Sequence, residues 1–314
     1  MMNRPSVRCV FLATFTLTCL FHLATSHDRP IIGVLAVETS SSHGDTMIPA
    51  SYVKYVMMGG ARVVPIKVRE PDSYYQDIFS KINGLLLPGG RVSTTSSGYA
   101  KAAKLLFSMA MTANAAGDYF PVLGICLGSQ TITSIVAGRS RLSSTPGTSD
   151  ISLPLEFTSD VSNSRLLGDT CLPSDLKTSL ASENITYNTH NFGIRADKFT
   201  SDPNLRDFFT VLSTNKDSNG KDFVSTYEGK TMPVYGTQWH PEKAIFDWNP
   251  DKQINHSSSA IRAAQHVANF FVEESRKSSH VFGSGEGKAV IQAYPRRYFT
   301  GGNYYENFYF NFTT

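Results

Sequence analysis

Cysteine is scarce and poorly placed for crosslinking. The 314 residues hold only 4, and Cys9 and Cys19 fall inside an apolar N-terminal stretch, which leaves Cys126 and Cys171 for the rest of the chain. A secreted disulfide framework needs a denser, even set at regular spacings, so this chain must rely on a packed core, with one Cys126–Cys171 bridge left open as an alternative. Charge of one sign is lacking as well. The 29 Lys and Arg face 26 Asp and Glu, a net +3, and they are scattered along the chain. No basic block tracks a phosphate backbone, which excludes nucleic acid as the expected partner. Past the N-terminus no apolar run approaches the ~20 residues that a membrane helix requires. No internal repeat or interdomain linker is evident.

What is present is globular: 41% hydrophobic and 18% charged residues, in a chain long enough to bury a sizeable α/β core. Arg4 and Arg8 precede the apolar stretch VFLATFTLTCLFHLA, and Ala24 and Ser26 follow it with small side chains. That is the order of a secretory signal, too short for a comfortable membrane anchor. Residues 1–26 are therefore read as a signal peptide, and residues 27–314 as a single α/β domain. Three sequons, beginning at Asn184, Asn255 and Asn311, fit a glycosylated secretory product.

Along the chain, buried-strand and helix patterns alternate. PIIGVLAV (30–37) is a continuous apolar run, as expected of a strand covered on both faces. A helix through 49–59 follows, then the strand ARVVPIKV, a helix through YYQDIFSKI, the strand GLLLPGG, a helix through YAKAAKLLFSMAMTANA and the strand YFPVLGI. A helix from Leu127 to about Ala137 stops at Gly138. Such alternation predicts a doubly wound, mostly parallel sheet with flanking helices. From about 150 to 230 the pattern turns to short strand-like runs punctuated by Ser218-Asn219-Gly220, which predicts added antiparallel strands. A last helix is expected at about 258–276, capped by Ser257 or Ser258. The Gly- and aromatic-rich tail after 281 is expected only to pack on the surface.

The chemistry concentrates at PVLGICLGSQ (121–130). Cys126 falls between a buried strand and a helix, at the carboxyl edge of the sheet where open α/β sheets bind ligands. Gly124 and Gly128 flank it at the spacing of a nucleophile elbow. The positive end of the following helix stabilises negative charge on sulfur, and the Leu127 N–H becomes an oxyanion donor. LLLPGG (85–90) offers a second bare amide at Gly89 or Gly90, with Gly90 the named candidate. His240-Pro241-Glu242 follows an apolar strand. Proline disfavours helix before it, so this tripeptide should run extended with His240 and Glu242 on one side, the glutamate orienting the histidine as the third member of a triad. Arg91, after the Gly-Gly turn, is placed to meet a substrate carboxylate.

G-x-C-x-G followed by a late H-P-E resembles the class I glutamine amidotransferase-like superfamily. Within it, RPIIGVL, PASYVKYV, GARVVP, INGLLLPGG, GDYFPV, CLG and PVYGTQWHPEK resemble the gamma-glutamyl hydrolase family, in order, over roughly residues 29–275. The resemblance implies a cysteine hydrolase of folate and antifolate poly-γ-glutamates. Cys126 attacks the γ-glutamyl amide, His240 handles the proton and Glu242 supports His240. It also implies no cofactor or metal, a homodimer, and a secreted or lysosome-like location, free of the membrane once the signal is removed. His190 aligns with a histidine that the family keeps near its active site, which implies a substrate-side role. Where the family reads G-T-C-L-G-F-E, this chain has Ser129 and Gln130 in the last two positions, so an acidic contact becomes neutral and Gln130 takes the place it has in glutamine amidotransferases. Ammonia release from glutamine and a weakened γ-glutamyl binding protein are the alternatives. The signal peptide, the sequons and the lack of a synthetase domain weigh against the first, which would use the same three residues, and the intact Cys126, His240 and Glu242 weigh against the second.

Overall fold

The computed structural model describes residues 28–298 and 306–312. The signal-peptide reading of residues 1–26 lies outside the described residues. An eight-stranded sheet forms the centre. Its strands are β1 (Ile31–Leu35), β2 (Arg62–Ile66), β3 (Gly84–Leu87), β4 (Val122–Ile125), β5 (Glu156–Phe157), β6 (Phe209–Lys216), β7 (Asp222–Gly229) and β8 (Val234–Thr237). They lie in the order β2-β1-β3-β4-β8-β7-β6-β5. The five from β2 to β8 run parallel, and β7, β6 and β5 add on antiparallel. The mostly parallel sheet and its antiparallel extension both match the alternation of the sequence. Gly220, with φ +71°, makes the turn between β6 and β7.

Side-chain alternation explains why these strands read as unbroken apolar runs. Ile32, Val34, Leu86, Leu123 and Ile125 enter one buried cluster, while Ile31, Leu35, Leu85, Leu87 and Val122 enter another. Successive residues of a strand point to opposite faces, so a strand covered on both sides must be apolar throughout. Helices Ala50–Met58 and Ser258–Ser275 pack together over the first face, through Tyr55, Ala264 and Phe271. Helix Gly98–Ala115 supplies Leu106 and Ala103 to the second. Both 18-residue helices begin on a serine cap: Ser97 accepts from the Ala100 N–H at 3.0 Å, and Ser257 accepts from the Ala260 N–H at 3.2 Å.

One expectation of the fold fails. The tail does more than pack on the surface: Glu306–Phe310 pairs antiparallel with Thr46–Pro49, and Phe308 and Phe310 are buried at 4% and 5% exposure. Arg296–Tyr298 and Val37–Glu38 complete that four-stranded sheet. The Cys126–Cys171 bridge, left open as an alternative, is not formed, since both thiols are free.

Candidate active site

The strand ends bring the site together. Cys126 follows β4, Gly89 and Gly90 follow β3, and His240 follows β8, so three neighbouring carboxyl ends face one point. Cys126 has φ +52° and ψ −108°, a conformation that L-residues rarely adopt, and its backbone N–H is tied to the Thr237 carbonyl of β8 at 2.7 Å. Strain of this kind persists only where the surroundings over-determine it. The flanking glycines supply that constraint. A Cβ on Gly128 would lie 1.9 Å from the Leu87 carbonyl oxygen, and one on Gly124 would lie 2.6 Å from the Ser129 nitrogen. Only bare backbone lets β3, β4 and helix Leu127–Val136 close around the turn. Leu127 is the first residue of that helix, where N–H groups have no partner within the helix.

His240 and Glu242 are fully enclosed, at 2% and 0% exposure, with His240 Nδ1 2.8 Å from Glu242 Oε1. The tripeptide is not extended as expected. The Lys243 N–H donates to the His240 carbonyl at 3.4 Å and Glu242 sits at φ −66°, ψ −19°, so a turn brings the two side chains together. Proline restrains the residue before it, His240, and leaves Glu242 free to start the short helix Lys243–Phe246. Burial alone would depress His240, but the Glu242 carboxylate and the charge on Cys126 outweigh it and lift His240 to about 9. Burial in turn pushes Glu242 up, and His240 with Lys243 more than reverses this, leaving Glu242 below the usual carboxylate range. The other ring nitrogen, His240 Nε2, is buried without a hydrogen-bond partner among the described residues.

Sequence reasoning missed Tyr52. Its hydroxyl accepts the Gly89 N–H at 2.9 Å and lies 3.2 Å from His240 Nδ1, so it joins the Gly-Gly turn to the histidine. Tyr52 occupies a core-facing position of a helix, and only its place in PASYVKYV marks it. Gly89 is bare because a Cβ there would lie 2.8 Å from His240 Cε1 and 3.4 Å from Cys126 Cβ. With the Gly89 amide engaged by Tyr52, Gly90 is the remaining amide of the turn that borders the cleft.

The cleft has two lobes that meet at Cys126, Gly90 and Arg91. One, of 480 Å³, is lined by Leu127, Gln130, His190 and several hydroxyl side chains. The other, of 640 Å³, is lined by His240, Tyr187, Lys243, Asp247 and Lys252. Gln130 donates its amide nitrogen to the Phe192 carbonyl at 2.7 Å and to Gln238 Oε1 at 3.1 Å, so its carbonyl end is what it offers to the cavity. His190 is held at both ring nitrogens, by Thr148 at 3.1 Å and by Asn188 at 3.1 Å. Burial and then the nearby His240 push it down to about 3, so it stays neutral. Arg91 is exposed on the rim.

The sequons lie apart from the cleft. Asn184 and Asn311 are exposed, whereas Asn255 is half-buried and donates its side-chain amide to the Asn184 carbonyl at 2.8 Å. Among the described residues no cluster of His, Cys, Asp or Glu suits a metal ion, and no helix is long and apolar enough to cross a membrane.

A strained cysteine at a helix start, faced by a buried His–Glu pair, is the equipment for acyl transfer, and it falls inside the stretch that matches a known family. Residues 30–242 match Peptidase C26. The chain belongs to that family. Its members are cysteine peptidases. Bovine gamma-glutamyl hydrolase is 41% identical over 281 residues, covering 88% of this chain and 87% of the relative. The human gamma-glutamyl hydrolase is 42% identical over 270 residues, covering 84% and 83%. Among solved structures, the glutaminase domain of Trypanosoma brucei CTPS with bound acivicin aligns with a TM-score of 0.52 at 13% identity, covering 81% of this chain and 96% of that one. That likeness speaks for the fold, a glutamine amidotransferase-like α/β sheet.

Proposed function

We propose that this chain hydrolyses the γ-glutamyl amide bonds of folate and antifolate poly-γ-glutamates through a thioester at Cys126. Its family and relatives make it a cysteine hydrolase of γ-glutamyl bonds. One observation carries the assignment of roles: the unpartnered, buried His240 Nε2 beside a cysteine held at φ +52° on a helix start.

The thiolate is the reactive form of a cysteine, and His240, protonated at neutral pH, supplies the counter-charge. Sulfur adds to the γ-carbonyl carbon, and the oxyanion is met by the Leu127 and Gly90 N–H groups. The C–N bond then breaks as His240 passes its Nε2 proton to the departing amine. Neutral His240 next takes a proton from water, whose oxygen attacks the thioester, and the C–S bond breaks to release the carboxylic acid and restore the thiolate. Glu242 and Tyr52 hold Nδ1, which fixes the ring and leaves Nε2 for proton transfer. No cofactor is required by this sequence of steps. His190, Gln130 and Arg91 are substrate-side groups in this reading.

The protein works outside the cytosol, in a secreted or lysosome-like compartment, as a glycosylated homodimer. The apolar segment before residue 27 and the sequons at Asn184, Asn255 and Asn311 support the route. Size-exclusion chromatography with light scattering tests the dimer. Incubation with pteroyl-penta-γ-glutamate beside free glutamine tests the reaction: shortened chains without ammonia support it, and ammonia from glutamine without chain shortening refutes it.

A further inference from the structure

The two lobes of the cleft differ in charge and in access to the proton donor. His240 lines only the larger lobe, while Leu127 and Gln130 line only the smaller. A general acid must reach the departing nitrogen, so the side of the substrate that leaves as an amine belongs in the lobe that His240 lines. The acyl side then lies in the smaller lobe, whose ionisable lining besides Cys126 is neutral His190 and the shared Arg91.

The larger lobe is lined by five charged side chains other than His240: Glu38, Arg91, Lys243, Asp247 and Lys252. Both anions are already engaged. Glu38 accepts from Arg69 at 3.2 Å and from the Gly98 and Tyr99 amides at 2.8 and 3.1 Å, and Asp247 pairs with Lys243 at 2.7 Å. Arg91 and Lys252 have no acidic partner among the described residues. A spacious lobe with two uncommitted cations in its lining is suited to a flexible chain that carries carboxylates.

We propose that the His240-lined lobe receives the leaving portion of the substrate and that Lys252, with Arg91, selects leaving groups bearing carboxylates. This deepens the reading of the chain as a γ-glutamyl hydrolase and rests on it. Each residue of a γ-linked glutamate chain keeps a free α-carboxylate, so a longer leaving chain offers more partners to the same two cations. Lys252 is a specificity residue here and takes no part in bond breaking.

The test compares two substrates that share the acyl side: pteroyl-γ-diglutamate, which releases glutamate, and the matching pteroylglutamate γ-amide of alaninamide, which releases an uncharged amine. Wild-type protein is expected to prefer the first. Lys252→Ala should narrow that preference about fivefold through KM rather than kcat, the scale of a partly exposed ion pair. Lys252→Arg should restore it and Lys252→Glu should narrow it further. Equal effects on the two substrates, or none on either, overturn the assignment of this lobe to the leaving group. A wild-type protein that cleaves neither substrate overturns the γ-glutamyl hydrolase reading itself, and the two failures are thereby told apart.

Discussion

His240 Nδ1 and Glu242 Oε1 lie 2.8 Å apart with both side chains buried, while His240 Nε2 is left without a partner among the described residues. One nitrogen is committed to orientation, and the other is free for proton transfer. His240→Ala is therefore expected to lower kcat by about 10⁴-fold, and Glu242→Gln by about 10²-fold, because a glutamine oxygen can still accept the Nδ1 proton. Steady-state kinetics on a γ-glutamyl substrate check the ranking. A loss for Glu242→Gln equal to or larger than that for His240→Ala contradicts it.

Tyr52 supports the same ring from another element. Tyr52→Phe removes the acceptor for the Gly89 N–H and the contact to His240 Nδ1 but keeps the packed ring. The expected cost is about tenfold in kcat, the scale of one buried hydrogen bond, with little change in Tm. Unchanged kcat would place Tyr52 in the core alone.

The elbow tolerates no added atoms. A methyl at position 128 would sit 1.9 Å from the Leu87 carbonyl oxygen, which belongs to strand backbone and cannot move aside cheaply. Gly128→Ala is expected to destabilise the fold by about 3 kcal/mol or more and to lower Tm accordingly. A variant with wild-type Tm would mean that helix Leu127–Val136 docks less tightly on β3 than described.

Two histidines give the stability opposite slopes in pH. His240 rises from 6.5 to about 9 on folding, so its contribution is complete below about 6.5 and is lost as pH climbs toward 9. His190 falls from 6.5 to about 3, so the unfolded chain takes up a proton that the folded protein refuses, and stability drops as pH falls from 6.5 toward 3. Thermal unfolding across this range should show a shallower alkaline limb in His240→Gln and a shallower acid limb in His190→Gln. Unchanged limbs in both variants would contradict the assigned protonation states.

Legibility followed how local each signal was. The strained turn at Cys126 could be read because Gly124, Cys126 and Gly128 lie within five residues and the steric need for each glycine is local. His240 and Glu242 could be paired for the same reason, although the backbone between them was misjudged: Pro241 constrains the residue before it and not the one after. Tyr52 stands 188 residues from His240, and at its helical position it counted only as core. The strand Glu306–Phe310 was missed because its partner Thr46–Pro49 lies at the other end of the chain, and neither short segment has a pattern that declares the pairing. The continuous apolar strands β1, β3 and β4 were the easiest to place, since burial on both faces leaves little choice of side chain.

The most direct test of the account is a rapid-quench reaction of the mature protein with pteroyl-penta-γ-glutamate, run beside Cys126→Ser. Intact mass should reveal a transient adduct equal to the acyl portion of the substrate, mapped by peptide digestion to Cys126, together with shortened glutamate chains. Cys126→Ser should fold with an unaltered circular dichroism spectrum and lose nearly all chain shortening. Chain shortening at the wild-type rate in Cys126→Ser, or an adduct on any other residue, would contradict the assignment of Cys126 as the nucleophile.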